Sequence, residues 1–197
     1  LEKIKLNLME KLTGLKKIKT AVFISGTGSN LKNLIKFSQI KKAPISIDLI
    51  VSNTHLAEGL QFADQFKIKK KIFDFSDTGK NILILLKKEK INFICLAGFM
   101  KILSKNFIKN FDGKIVNIHP SLLPKYKGLN THSRAIRNKD KFSGCTVHYV
   151  TEKLDSGKII MQNKVKITAK DDAISLAKKI LKQEHKLYPT AIIKIFN

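Results

Sequence analysis

Short unbroken apolar runs alternate along this chain with stretches whose apolar residues recur at helical spacing. The run at 20–25 (TAVFIS) reads as a buried strand. It leads into GTGSN and then a helical pattern on Leu31, Leu34 and Ile35, with Ser29 as the expected N-cap. A second strand is expected at 45–52 (ISIDLIVS), a helix at 57–66, a third strand in the lysine-rich KKKIFDF of 69–75, and a helix at 82–90. The run at 92–97 (NFICLA) suits a central parallel strand, covered on both faces. Ser104 is placed to cap a short helix reaching Asn110, and 114–119 (KIVNIH) is the fifth strand, closed by Pro120. Such alternation predicts an α/β fold, a Rossmann-like, doubly wound, mainly parallel sheet. From Gly144 the pattern changes. GCTVHYV and KIIMQNKVKI form a C-terminal pair of β segments separated by the turn-like LDSG, and a last helix runs from Ala173 to about Lys194.

Length and charge narrow the function class. A chain of 197 residues with 43% hydrophobic content sustains one sizeable core, so residues 19–197 are expected to form a single domain behind a basic N-terminal extension at 1–18. Lys and Arg number 38 against 15 Asp and Glu, a net charge of +23, which raises nucleic acid as a partner. The lysines are spread through nearly every segment and far outnumber the arginines. That distribution fits a coding bias better than either anionic substrates or a nucleic-acid footprint, so a nucleic-acid partner is not expected despite the charge. Lysine or glutamate interrupts every apolar run well before membrane-spanning length, so no membrane partner is expected. Cys95 and Cys145 sit inside apolar β-like runs, as small core residues in a reducing, cytoplasmic setting would. The five histidines show no ligand spacing, and no metal is expected. Nothing in the pattern fixes the oligomeric state; a homodimer is compatible with it.

In open sheets of this kind, ligands bind beyond the carboxyl ends of the strands, and three motifs fall there. Gly26-Thr27-Gly28-Ser29-Asn30 joins the first strand to the first helix, where glycines and unpaired helix-start N–H groups suit a phosphate. The third glycine of a dinucleotide fingerprint is missing and there is no GK[ST], which disfavours NAD and ATP; a plain βα turn stays open. Asn117 and His119 stand two apart on the fifth strand and share one face. A satisfied core histidine is the ordinary alternative for His119. Asp155, in LDSG, is an unremarkable turn residue by itself. Beside His119 it would favour the imidazolium, and together with the Asn117 amide that would stabilise a developing oxyanion.

AVFISGTGSNLKNLI, CLAGFMKIL, IVNIHPSLLPKYKGLNTH, GCTVHYVTEKLDSGKII and QEHKLYP, in this order and spacing, resemble the phosphoribosylglycinamide formyltransferases, a branch of the formyltransferase family. The resemblance runs from about Lys19 to the C-terminus. It implies transfer of a formyl group from 10-formyltetrahydrofolate to the amine of a phosphoribosyl glycinamide, with Asn117, His119 and Asp155 as the catalytic trio. Gly28, Ser29 and Asn30 would hold the ribotide phosphate and Glu184 its ribose hydroxyls. Met100, Lys101, Ile102 and Leu103 would line the folate pocket together with Asn117, and His132 would lie near it. Departures concern the folate side: Phe75 stands about where the family often has an arginine, with Lys80 as a candidate substitute, and Lys127 and Asn130 replace a proline and a histidine. Within the wider family, a formyltetrahydrofolate hydrolase or a methionyl-tRNA formyltransferase is the nearest alternative, and GTGSN counts against both. A non-enzymatic binding protein is argued only by the charge.

Overall fold

The computed structural model describes residues 17–75 and 79–197, so the expected basic extension lies almost wholly outside the described residues. Among them, seven strands make one sheet: β1 (Ile18–Ile24), β2 (Ile45–Ser52), β3 (Lys69–Ile72), β4 (Phe93–Leu96), β5 (Lys114–His119), β6 (Phe142–Tyr149) and β7 (Ile159–Lys166). Their spatial order is β3-β2-β1-β4-β5-β6-β7. Strands β1 to β5 pair in parallel, whereas β6 runs antiparallel to β5 and β7 antiparallel to β6. The helices are α1 (Ser29–Ser38), α2 (Gln61–Gln65), α3 (Lys80–Lys88), α4 (Lys105–Asn110), α5 (Thr131–Arg137) and α6 (Ala173–Phe196). The expected doubly wound, mainly parallel sheet with a C-terminal β pair and helix is the observed one.

Alternation along each strand sends side chains to opposite faces, and both faces are covered. Val22, Ile24, Ile50, Cys95, Val116 and Ile118 pack against Leu31, Leu34 and Ile35 of α1 and Leu176, Ile180 and Tyr188 of α6. Ala21, Phe23, Leu49, Val51, Ile94 and Ile115 pack on the other side against Ile82 and Leu86 of α3 and Phe107 of α4. Both cysteines are free and buried. Desolvation raises both thiols, Cys145 to about 12, as expected of core thiols.

Three expectations need correcting. Ser29 is the first residue of α1; its N-cap is Gly28, whose φ of 73° is left-handed. Glycine is required there, because a Cβ would stand 2.6 Å from the Gly59 Cα. That close approach also explains why 57–66 is not one helix: Gly59 sits in a 3-10 turn, Glu58–Leu60, that precedes α2. Strand β3 stops at Ile72, and Phe75 turns away to pack edge-on against Phe99 at 4.9 Å and Phe23 at 5.9 Å. Helix α5 has no counterpart among the expected elements.

Helix α6 continues through Pro189, which has no N–H to give the carbonyl of His185. Asn33 of α1 fills the gap, its Nδ2 donating to that oxygen at 2.7 Å. The join holds the start of α1 beside Glu184 and His185, where one of the candidate sites lies. Replacing Asn33 with Leu is expected to cost about 1–3 kcal/mol in denaturant unfolding, the usual cost of stranding a carbonyl. Adding Pro189→Ala, which restores the helical donor, should recover part of that loss; strictly additive effects of the two changes would contradict the coupling.

Candidate active site

Strand β5 delivers Asn117 and His119 to its carboxyl end on the face shared with Ile115, and β6 supplies the facing residue. In the antiparallel register His148 lies directly opposite Asn117. Asp155 arrives from the turn between β6 and β7. Its φ is 46°, a left-handed value that aspartate tolerates better than most residues. Gly157 pins the turn down: any Cβ there would run into the Tyr149 carbonyl oxygen.

The four polar groups converge. Asp155 Oδ2 lies 3.5 Å from His119 Nδ1, and Asp155 Oδ1 lies 3.6 Å from His148 Nε2, with side-chain exposures of 8% for Asp155, 6% for His119 and 3% for His148. The Gly128 N–H donates to Asp155 Oδ2 at 2.8 Å. The Tyr126 carbonyl, only two residues earlier, accepts from His119 Nε2 at 2.8 Å. One loop therefore positions both the carboxylate and the imidazole. Tyr126 is itself held at a φ of 54° by its phenol, which donates to Asp140 Oδ2 at 2.7 Å.

A carbonyl only accepts, so Nε2 of His119 carries its hydrogen and, in the neutral ring, Nδ1 turns a lone pair toward Asp155. Burial is the largest influence on His119 and pulls its pKa below the ordinary 6.5; the Tyr126 carbonyl and the Asp155 charge push the other way without prevailing. The expectation that Asp155 keeps His119 charged is thus reversed in the ligand-free molecule, because desolvation outweighs the ion pair. For Asp155 itself, burial pushes upward, but His148, the Gly128 N–H and the charge that His119 takes on in acid together hold the carboxyl below its ordinary range.

Two clefts lie at this edge of the sheet. Asn117, His148 and Asp155 open onto one that is walled by Leu96, Phe99, Lys101, Ile102, Leu103 and Val150. The other lies over Gly26, Thr27, Gly28, Ser29 and Asn30, with Gly98 and Met100 across it. Met100 is thereby separated from Lys101, Ile102 and Leu103: it faces the glycine-rich loop, to which its N–H is tied through Ser25 Oγ at 2.8 Å. Behind that loop, Asn30 Nδ2 donates to Glu184 Oε2 at 2.6 Å, both residues being buried, and Asn30 Oδ1 has no partner among the described residues. Burial raises the pKa of Glu184, and the Asn30 bond offsets part of that. Lys80, at the start of α3, takes no part in lining the first cleft, where Lys101 and Lys153 are the cations. His132, on α5, is near enough to His119 for its charge to matter, and its buried Nδ1 has no partner among the described residues. Among the described residues no group of three or more His, Cys, Asp or Glu side chains could hold a metal, and no helix is long and apolar enough to cross a membrane.

His148 is the site residue that sequence reasoning overlooked. A signal was present: a histidine in an otherwise apolar strand, two residues from Thr146, in a segment able to pair with the one carrying Asn117 and His119. Only the antiparallel register brings it opposite Asn117.

Known proteins resemble this chain in sequence and in fold. The formyl transferase family profile matches residues 18–192. The chain is 41% identical to phosphoribosylglycinamide formyltransferase of Haemophilus influenzae over 180 residues, 88% of this chain and 85% of that protein. It is 38% identical to the human trifunctional purine biosynthetic protein adenosine-3 over 183 residues, 90% of this chain but only 18% of that much longer protein. The fold superposes on crystal structures of phosphoribosylglycinamide formyltransferase from Brucella melitensis (TM-score 0.85, 42% identity, 92% of this chain and 96% of that one). For the enzyme from Anaplasma phagocytophilum the TM-score is also 0.85, at 40% identity over 90% of this chain and 85% of that one.

The pKa of His119 carries a stability consequence. A folded-state pKa below 6.5 means that stability is fully present above that value and lost as pH falls through the folded pKa. The thermal unfolding midpoint should therefore decline as pH drops below 6.5, and a His119→Asn variant should decline less steeply across the same range. His132 and His185, also lowered by burial, leave a residual slope. Identical slopes for the two proteins would show that His119 is not the buried neutral group described here.

Proposed function

The chain belongs to the formyl transferase family, and from that premise we propose that it transfers a formyl group from 10-formyltetrahydrofolate to the amine of 5-phosphoribosylglycinamide, a step of de novo purine synthesis. The observation that carries this reading is the Asn117–His119–Asp155 cluster, with Asn117 and Asp155 lining one of two clefts of different character at this edge of the sheet. The cleft with apolar and aromatic walls and two lysines suits a flat, partly anionic folate. The glycine-rich loop suits a phosphate on the N–H groups of Gly28, Ser29 and Asn30, and the family resemblance assigns the ribose hydroxyls to Glu184, which backs that loop through Asn30. Holding both substrates across the sheet edge makes the attack effectively unimolecular, worth about 7–11 kcal/mol.

As the amine attacks the formyl carbon, its nitrogen gains positive charge and the formyl oxygen negative charge. Asp155 is the group placed to take the amine proton. Its Oδ2 faces the lone pair of His119 Nδ1, so a proton gained by Asp155 can be shared with that nitrogen. His119 then becomes a cation just as the oxyanion forms, held in orientation by the Tyr126 carbonyl. The Asn117 amide donates a hydrogen to the same oxyanion. A well-placed donor of this kind contributes about 3–4 kcal/mol to the barrier. On collapse of the intermediate the shared proton returns to the departing folate nitrogen, and the site regains its starting state.

In an absorbance assay with both substrates varied, Asp155→Asn should lower kcat by about two orders of magnitude with little change in the ribotide KM, since the lost interaction belongs to the transition state. A near-normal kcat would return Asp155 to the role of a turn residue. For the phosphate, Gly26 is the informative position, because a Cβ there meets nothing within 4 Å and leaves the fold intact. Gly26→Val should raise the ribotide KM far more than the folate KM; equal effects would assign the loop another ligand.

A further inference from the structure

We propose that His148 is a positioning residue for formyl transfer, aiming the Asn117 amide by accepting one of its two hydrogens. The inference rests on the transfer reaction proposed above. His148 Nδ1 lies 2.9 Å from the carbonyl oxygen of Tyr149. That nitrogen must be the donor, so Nε2 of the neutral ring carries a lone pair. Asn117 Nδ2 lies 3.2 Å from it, and the amide hydrogen points into that lone pair.

The consequence lies in the two-fold ambiguity of an asparagine side chain. Turned by half a rotation, the Asn117 amide would present its carbonyl oxygen where the reacting oxygen needs a donor. It would repel the developing oxyanion and set two acceptors face to face at His148. With one hydrogen committed to Nε2, the other N–H is the one left for the cleft, which Asn117 and His148 both line. The imidazole is buried, backed by β6, and its ring is held at both nitrogens, so it offers a fixed acceptor. Its Nε2 also lies 3.6 Å from Asp155 Oδ1, and a role exerted through the carboxylate instead of the amide is the rival that the test must separate.

Glutamine and asparagine distinguish the two nitrogens of a histidine: glutamine carries its terminal amide to about the Nε2 position and asparagine only to that of Nδ1. Steady-state kinetics with both substrates varied, supported by thermal unfolding of each variant, should be run for wild type, His148→Asn, His148→Gln, Asn117→Ala and the two double variants. His148→Asn is expected to lower kcat by about tenfold or more with both KM values within about twofold, and His148→Gln to recover at least part of the loss. In the Asn117→Ala background, His148→Asn should add less than about a twofold further loss, since there is no amide left to aim. A full additional loss in that background, or a normal kcat for His148→Asn, overturns the proposal. Wild-type protein without formyl transfer would instead remove the reaction on which it rests.

Discussion

A carboxylate with 8% of its side chain exposed is the constraint around which this molecule is organised. Burying such a charge is costly unless hydrogen bonds and opposite charge replace its water. Asp155 Oδ2 accepts the Gly128 N–H, and the His119 and His148 rings enclose its two oxygens. Supplying them draws in most of the C-terminal half of the chain: β5 for His119, β6 for His148, the loop after β5 for Gly128, and Gly157 to fix the turn. The left-handed backbone at both Tyr126 and Asp155 is the local cost of bringing these groups together, offset by the anchored phenol of Tyr126 and the bonds that Asp155 makes.

The sheet explains why two clefts open at this edge. Strand order reverses between β1 and β4, and the loops leaving the carboxyl ends of those strands diverge to make room for a ligand. The loop after β1 forms the glycine-rich cleft and the segment after β4 forms one wall of each cleft, Met100 on one side and Lys101, Ile102 and Leu103 on the other. Strand β5 ends between them. Asn117 and His119 therefore reach the same sheet edge as the two clefts because the parallel strands end together there.

Elements whose burial is uniform were legible in the sequence. Strand β5 coincides with KIVNIH because its two faces are covered by two separate cores and proline stops it. The C-terminal helix declared itself through Leu176, Ile180, Leu187 and Ile192, all buried. Helix α5 did not, since Thr131 and Ala135 are its only buried residues and give no apolar period. At the site, the motif pointed to Asn117, His119 and Asp155, whereas His148 depends on a cross-strand register that no linear pattern encodes. The protonation of His119 was inferred in the wrong direction for a physical reason: a neighbouring carboxylate is visible in sequence, but the desolvation that outweighs it is a property of packing.

The central claim is that burial holds His119 neutral until reaction chemistry sends a proton into its pair with Asp155. Nitrogen-15 NMR of the histidine rings at neutral pH tests it most directly, first in the free protein and then with a stable mimic of the tetrahedral intermediate bound. The account predicts a neutral His119 carrying hydrogen on Nε2 in the free protein and a doubly protonated ring in the complex. A ring already cationic without ligand, or one still neutral with the mimic in place, would contradict it.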